Sequence, residues 1–292
     1  IFEIKKQEIK PIILMFLFLV ILSCSIIIAE NTRNAIYITE LGIENYPYMY
    51  ILNAVFLIFG IFLYTKFLER LERVRFSTII MFIFSLFLIS SSFISRHRYG
   101  IPVMAVIIEM IDNFSVILFA ALFSYIFNIR QEKRLIPIVA SGIGVGGIFA
   151  VVLMSFLPEL IGVNWTIFVS GMIFSLNLII LLLLRGCVKK SAETSENLFL
   201  EQKTEKGFGW FFNNLLSSRY LKLLILIIFF SVFIEWLVDF KFHEIVSQRF
   251  TSEDEFSSFL GIFQGSMSLF FTIFNIFVLG YSNDVMAYIP ST

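Results

Sequence analysis

Eight stretches of this chain run for about twenty residues or more with few charged side chains, the length a helix needs to cross a bilayer's hydrocarbon core. They cover roughly 11–31, 46–66, 76–95, 101–127, 135–157, 163–185, 220–242 and 257–280. In lipid every backbone amide must be satisfied internally, and runs this long do so as helices rather than as the shorter strands of a barrel. Hydrophobic residues make up 58 % of the 292 and charged residues only 15 %, with 37 Phe among them. A soluble domain carries about 25 % charged residues, so a water-soluble fold would have no interior large enough for this apolar excess. The expectation is an all-α, polytopic helical membrane protein whose first partner is the lipid bilayer.

The composition also excludes several functions. Basic and acidic residues balance at 22 each, which gives no reason to expect nucleic acid as a partner. Cys24 and Cys187 stand far apart, and the only histidines are His97 and His243, so no metal-ligand spacing exists. No cofactor and no metal are expected. No nucleophile sits beside a base, so the chain does not read as an enzyme. Lys5, Lys6 and Lys10 precede the first run as they would in a signal peptide. The run itself exceeds the apolar core of about 7–15 residues that a signal carries, and it reads as a true span.

Orientation follows from Lys and Arg alone. With the N-terminus in the cytoplasm, the inner segments hold 17 of the 22 basic residues, among them Lys5, Lys6, Lys10, Arg70, Arg73, Arg75, Arg130, Lys133 and Arg134. Only Arg33, Arg96, Arg98, Lys241 and Arg249 fall outside. The stretch GCVKKSAETSENLFLEQKTEKG, 186–207, is polar and separates six spans from two. The division expected is therefore a six-helix bundle over 1–185, a cytoplasmic linker with an interfacial helix over 186–219, and the first two helices of a further bundle over 220–292.

One motif invites a different reading. IVASGIGVGG, 138–147, places Gly142, Gly144 and Gly147 in the G-x-G-x-x-G spacing of a dinucleotide site. That site needs a strand before it, a helix after it and an acid about 20 positions on. Here the next acid, Glu159, comes 12 residues after Gly147, and the flanks continue as one apolar run. Gly142, Gly144, Gly146 and Gly147 instead read as a helix-packing seam of small residues.

Ionisable residues inside spans are costly and tend to face a partner or a cavity. Glu30 and Arg33 lie one turn apart in AENTRNAIYITELG, and Glu109 and Asp112 share a face in VIIEMIDNFSVILF. Glu235, Asp239 and Lys241 close the seventh run in FIEWLVDFKFHE. The ordinary reading of Glu30 and Arg33 is a solvated interfacial ion pair; that of Asp239 and Lys241 is simple exposure. Against it stands the distribution: runs one, four and seven carry these groups, as the lining of a repeat-built transporter cavity would. The site expected comprises Arg33, Asn34, Glu109, Asp112, Glu235, Asp239 and Lys241, with Arg33 as anion-binding fork and Glu109 or Asp112 holding it when no solute is bound. Arg130, Lys133 and Arg134 read either as an orientation anchor or as a cytoplasmic gate pairing with Glu69, Glu72 or Glu132.

The stretch YIFNIRQEKRLIPIVASGIGVGG, 125–147, resembles the fourth-to-fifth-span junction of bacterial ATP/ADP translocase-like carriers, a branch akin to the major facilitator superfamily. Arg130, Gln131, Lys133 and Arg134 carry the likeness, followed by the glycines. YITELGIENYPYMYIL, LVDFKF and DEFSSFLGIFQGSMSLF are similar to further parts of that family. The resemblance implies a major-facilitator-like fold of twelve spans, of which this chain matches six, the linker and two more. It also implies a cation near the end of the first span, where Arg33 fits, while Glu30 occupies a second position that is commonly basic in the family.

The function expected is a secondary transporter of a small polar or anionic solute, nucleotide-like by resemblance, in a bacterial cytoplasmic membrane. The alternative is a transport-inactive, facilitator-like scaffold that anchors other membrane subunits.

Overall fold

The computed structural model describes residues 8–68, 73–188, 219–250 and 252–287; side chains are described throughout these except at 59, 62–68, 73, 129, 130, 133, 187, 188, 271 and 275–287. Among the described residues the regular structure is helical, without a strand. The helices are α1 (Ile9–Leu41), α2 (Tyr46–Leu68), α3 (Arg73–Ile94), α4 (Ile101–Ile126), α5 (Ile129–Met154), α6 (Leu157–Ile161), α7 (Val163–Val188), α8 (Arg219–Ser247) and α9 (Glu253–Ala287). A single 3-10 turn, Ile43–Asn45, joins α1 to α2. Among the described residues seven helices are long and apolar enough to cross a membrane: α1, α3, α4, α5, α7, α8 and α9. The run expected at 46–66 forms α2, part of whose side chains lie outside the described residues.

Local chemistry explains where the helices begin and stop. α1 and the short α6 end at Gly42 and Gly162, with φ of 85° and 81°, a backbone that L side chains rarely adopt. Pro102 and Pro158 stand in the first turns of α4 and α6, where a missing N–H costs nothing. α5 begins on a capping box, in which Asn128 and Gln131 satisfy each other's backbone amides. Within the spans, Thr32, Thr39, Thr78 and Ser91 donate to carbonyls one turn back, which hides their hydroxyls from lipid.

The chain forms two compact units, one comprising residues 1–189 and 250–292, the other 190–249. In the first, α1 is the central helix and packs against α4, α5, α7 and α9. Met15, Phe18 and Ile28 on it are fully buried. Cys24, Ile27 and Ile28 meet Ala150 and Met154 of α5, with Ile173 of α7 against them. α2 and α3 turn large apolar side chains outward, such as Ile58, Phe82 and Leu86, a surface suited to acyl chains. Sequence groups the eighth run with the seventh, in the span 220–292. The structure places α9 in the first unit, where its small residues fit α5. The second unit contains α8, on which Lys241 Nζ donates to Glu244 Oε2 at 2.6 Å.

Candidate functional site

The site is built on ENTRN, residues 30–34, five polar residues in a row on an otherwise apolar helix. Such a segment inside a span needs partners, because each unpaired polar group in hydrocarbon costs several kcal/mol. α9 supplies one set. Asn31 Nδ2 donates to Gln264 Oε1 at 2.5 Å and to the Ile27 carbonyl at 2.6 Å. Gln264 Nε2 in turn donates to Glu30 Oε2 at 3.4 Å, and Ser257 donates to Thr32 Oγ1 at 3.3 Å.

α4 supplies the charge. Arg33 Nη1 donates to Glu109 Oε2 at 2.5 Å, and Arg33 Nε donates to Asn34 Oδ1 at 3.0 Å. Only 4 % of the arginine is exposed. The Glu109 backbone carbonyl accepts from Asn113 Nδ2 at 2.9 Å. Asp112, one turn along α4, lies close enough to interact electrostatically with Glu109, Arg33 and Glu30. Tyr46, at the start of α2, interacts with Arg33 in the same way. A buried, hydrogen-bonded ion pair of this kind is costly to form and costlier to break, since losing one partner strands the other.

Arg33, Asn34, Glu109 and Asp112, expected from the sequence, thus share one place. The reading of Glu30 and Arg33 as a solvated pair is corrected. The packing of α4 on α1 excludes water from the guanidinium, and its carboxylate partner is Glu109. Gln264 and Asn31 are further members of this network that the sequence reading passed over. Their only signal was an amide set within apolar surroundings. Glu235, Asp239 and Lys241 lie on α8 in the second unit. There Glu235 is exposed, Lys241 pairs with Glu244, and His243 Nδ1 sits 3.4 Å from Asp239 Oδ1.

At the opposite end of α1, the basic junction before α5 holds Glu8. Arg134 Nη2 and Gln131 Nε2 donate to the two Glu8 carboxylate oxygens, each at 2.6 Å. Gln131 Oε1 meanwhile accepts from the Asn128 amide at 3.0 Å. Among the described residues the partner of Arg134 is therefore Glu8 rather than Glu132. The cause is that α1 and α5 run parallel and bring their first turns together. Glu69 and Glu72 lie outside the described residues, as do the side chains of Arg130 and Lys133.

The glycines of α5 serve two neighbours. A Cβ on Gly142 would stand 2.8 Å from the Phe16 carbonyl, and one on Gly146 would meet the Val20 carbonyl. These two face α1. Gly144 faces Thr272 and Gly147 faces Ser268 and Gly265, all on α9. α1, α5 and α9 are thereby clamped side by side, which carries Gln264 to Asn31 and Glu30. Close approach of backbones through small residues is the usual means of helix association in lipid.

These features define an all-helical chain of multi-pass membrane type, with a largely buried polar network among α1, α4 and α9. Comparison with protein-family models, curated proteins and solved structures finds no match to it.

Proposed function

We propose that the protein is a secondary transporter of a small polar or anionic solute, working by alternating access within a major-facilitator-like architecture in a bacterial cytoplasmic membrane. The N-terminus and the 186–219 linker face the cytoplasm on this reading. The observation that carries it is the Arg33–Glu109 pair, a permanently charged fork buried between two membrane helices and held by a displaceable carboxylate. A guanidinium binds carboxylate or phosphate in two-point geometry, so a solute bearing either group competes with Glu109. That competition gives the solute different interactions in two arrangements of α1 and α4, which a shift between conformations requires. A scaffold that only anchors other subunits has no need of a buried ion pair at this position. The test is uptake of labelled ATP, phosphate and dicarboxylates into proteoliposomes holding the full chain. Uptake of any of them that is saturable and lost in Arg33→Gln supports transport. A protein that moves none under any gradient, and that purifies with stoichiometric partners, favours the scaffold.

A further inference from the structure

We propose that the cleft between the α3–α4 turn, the α6–α7 junction and the start of α9 binds phosphatidylethanolamine, with the phosphate beside Arg96 and the ammonium beside the acids of α9. The inference needs only the membrane setting and stands whether or not the protein transports. The cleft holds about 650 Å³, and Arg96, Asn164, Glu253 and Asp254 are among the residues that line it. All four belong to the first compact unit.

Two hydrogen bonds pin the end of α3 to the first turn of α7. Ser92 Oγ donates to the Asn164 carbonyl at 2.6 Å, and Ser95 Oγ donates to Asn164 Oδ1. Arg96 then lies over two rings, its Cζ 5.3 Å from the Phe93 centroid and 5.5 Å from that of Trp165. Contact with ring faces holds a guanidinium without using its N–H donors. On another wall Asp254 Oδ1 accepts from the Val163 amide at 3.2 Å, which fixes α9 against α7.

Charge carries the assignment. Arg96 makes no hydrogen bond or ion pair among the described residues, although it shares the cleft with two carboxylates. Glu253 lies close enough to Glu40 and Asp254 to interact electrostatically, and none of the three acids has a basic partner among the described residues. Asn164 Nδ2 likewise has no acceptor there. The cleft therefore offers donors to an anion and acceptors to a cation, with a gap between them. A headgroup that carries phosphate and ammonium two carbons apart satisfies both. A lone anion meets repulsion from the acids, and a lone cation meets repulsion from the arginine. A choline headgroup has no N–H to donate and prefers aromatic faces, which the guanidinium already occupies here.

A second cleft identifies the ligand as a lipid. It holds about 360 Å³ and is lined by Ile161, Trp165 and Val169, so Ile161 and Trp165 border both spaces. Trp165 and Val169 stand one turn apart on α7 and lead from its first turn toward the middle of the span. A tryptophan at a helix end marks the headgroup level, and apolar space below it suits an acyl chain. An arginine at the end of a span also meets lipid phosphate without any built site. That simpler arrangement favours anionic headgroups, whereas the acids of α9 reverse the order.

The experiment is native mass spectrometry of the full chain in detergent, offered equal amounts of dioleoyl phosphatidylethanolamine, phosphatidylcholine and phosphatidylglycerol. The parent should retain phosphatidylethanolamine several-fold over the other two. Arg96→Gln should erase the preference, and Arg98→Gln, on the same turn but outside the lining of the cleft, should keep it. Glu253→Gln combined with Asp254→Asn should turn the preference to phosphatidylglycerol, a gain that a damaged fold does not produce. Equal retention of the three lipids by the parent, or phosphatidylglycerol ahead, overturns the proposal. So does a phosphatidylethanolamine preference that survives Arg96→Gln or the double substitution. Soluble glycerophosphoethanolamine in excess should not displace the lipid; displacement makes the occupant a water-soluble zwitterion and overturns the lipid assignment. Absence of solute uptake in proteoliposomes counts against the transporter reading alone.

Discussion

Arg33 and Glu109 lie 76 residues apart in the chain and 2.5 Å apart in space, the guanidinium of α1 donating to the carboxylate of α4. With 4 % of the arginine exposed, the pair is a tertiary contact that fixes the register of two membrane helices. Measurable consequences follow for solute binding and for folding.

Arg33→Gln should abolish solute binding while the protein still inserts, and Arg33→Lys should keep the charge but lose most of the affinity, because a point charge does not replace a planar fork. Binding of labelled ATP or phosphate to purified protein measures this. A glutamine variant that binds like the parent removes Arg33 from the site.

Arg33→Gln and Glu109→Gln should also be coupled in stability. Each alone strands a buried polar partner, so the double variant should lose less than the sum, by about 0.5–3 kcal/mol. Thermal unfolding in detergent, taken round the double-mutant cycle, reads the difference. Strict additivity means the two side chains do not interact in the folded protein.

The glycine seam makes a position-dependent prediction. Gly146→Ala drives a Cβ into the Val20 carbonyl, a backbone atom that cannot step aside. It should cost about 1–3 kcal/mol, as overpacked interiors do. Gly186→Ala, where nothing lies within 4 Å, should be neutral or slightly stabilising. Equal thermal stability of the two variants would show that α1 and α5 do not pack as closely as described.

Glu8→Ala should loosen the first turn of α1 by removing the acceptor of both Gln131 and Arg134. Hydrogen exchange should rise over the first turns of α1 and α5 while the middle of α1 stays protected. Exchange unchanged at both places counts against the clamp.

Topology is tested separately. A cysteine introduced at Ser195 should react with a membrane-impermeant thiol reagent only after the cells are opened, because the topology expected from the sequence puts 17 of the 22 basic residues on the side of the linker. Labelling of intact cells would invert the orientation.

The sequence by itself determined that the chain is helical and bilayer-sized, because a run of apolar residues long enough to span lipid has one way to satisfy its backbone. The runs at 76–95 and 101–127 correspond to α3 and α4, Arg73–Ile94 and Ile101–Ile126. It undershot α1, expected to end near 31 and in fact running through Leu41. Hydropathy stops at ENTRN, whereas the helix continues because Glu30, Asn31, Thr32 and Arg33 find partners on other helices. The short α6 carried too few residues to leave a periodic signal. The sequence also supplied the ionisable members of the site on α1 and α4, since such groups within spans are rare enough to stand out. Only the tertiary structure decided who pairs with whom. Whether Arg33 meets Glu30 in water or Glu109 in the bundle depends on how closely α4 approaches. Whether Gln264 reaches Asn31 depends on α9 settling against Gly144 and Gly147. Those distances are set by side-chain volumes on three helices at once, and no stretch of the chain read alone contains them.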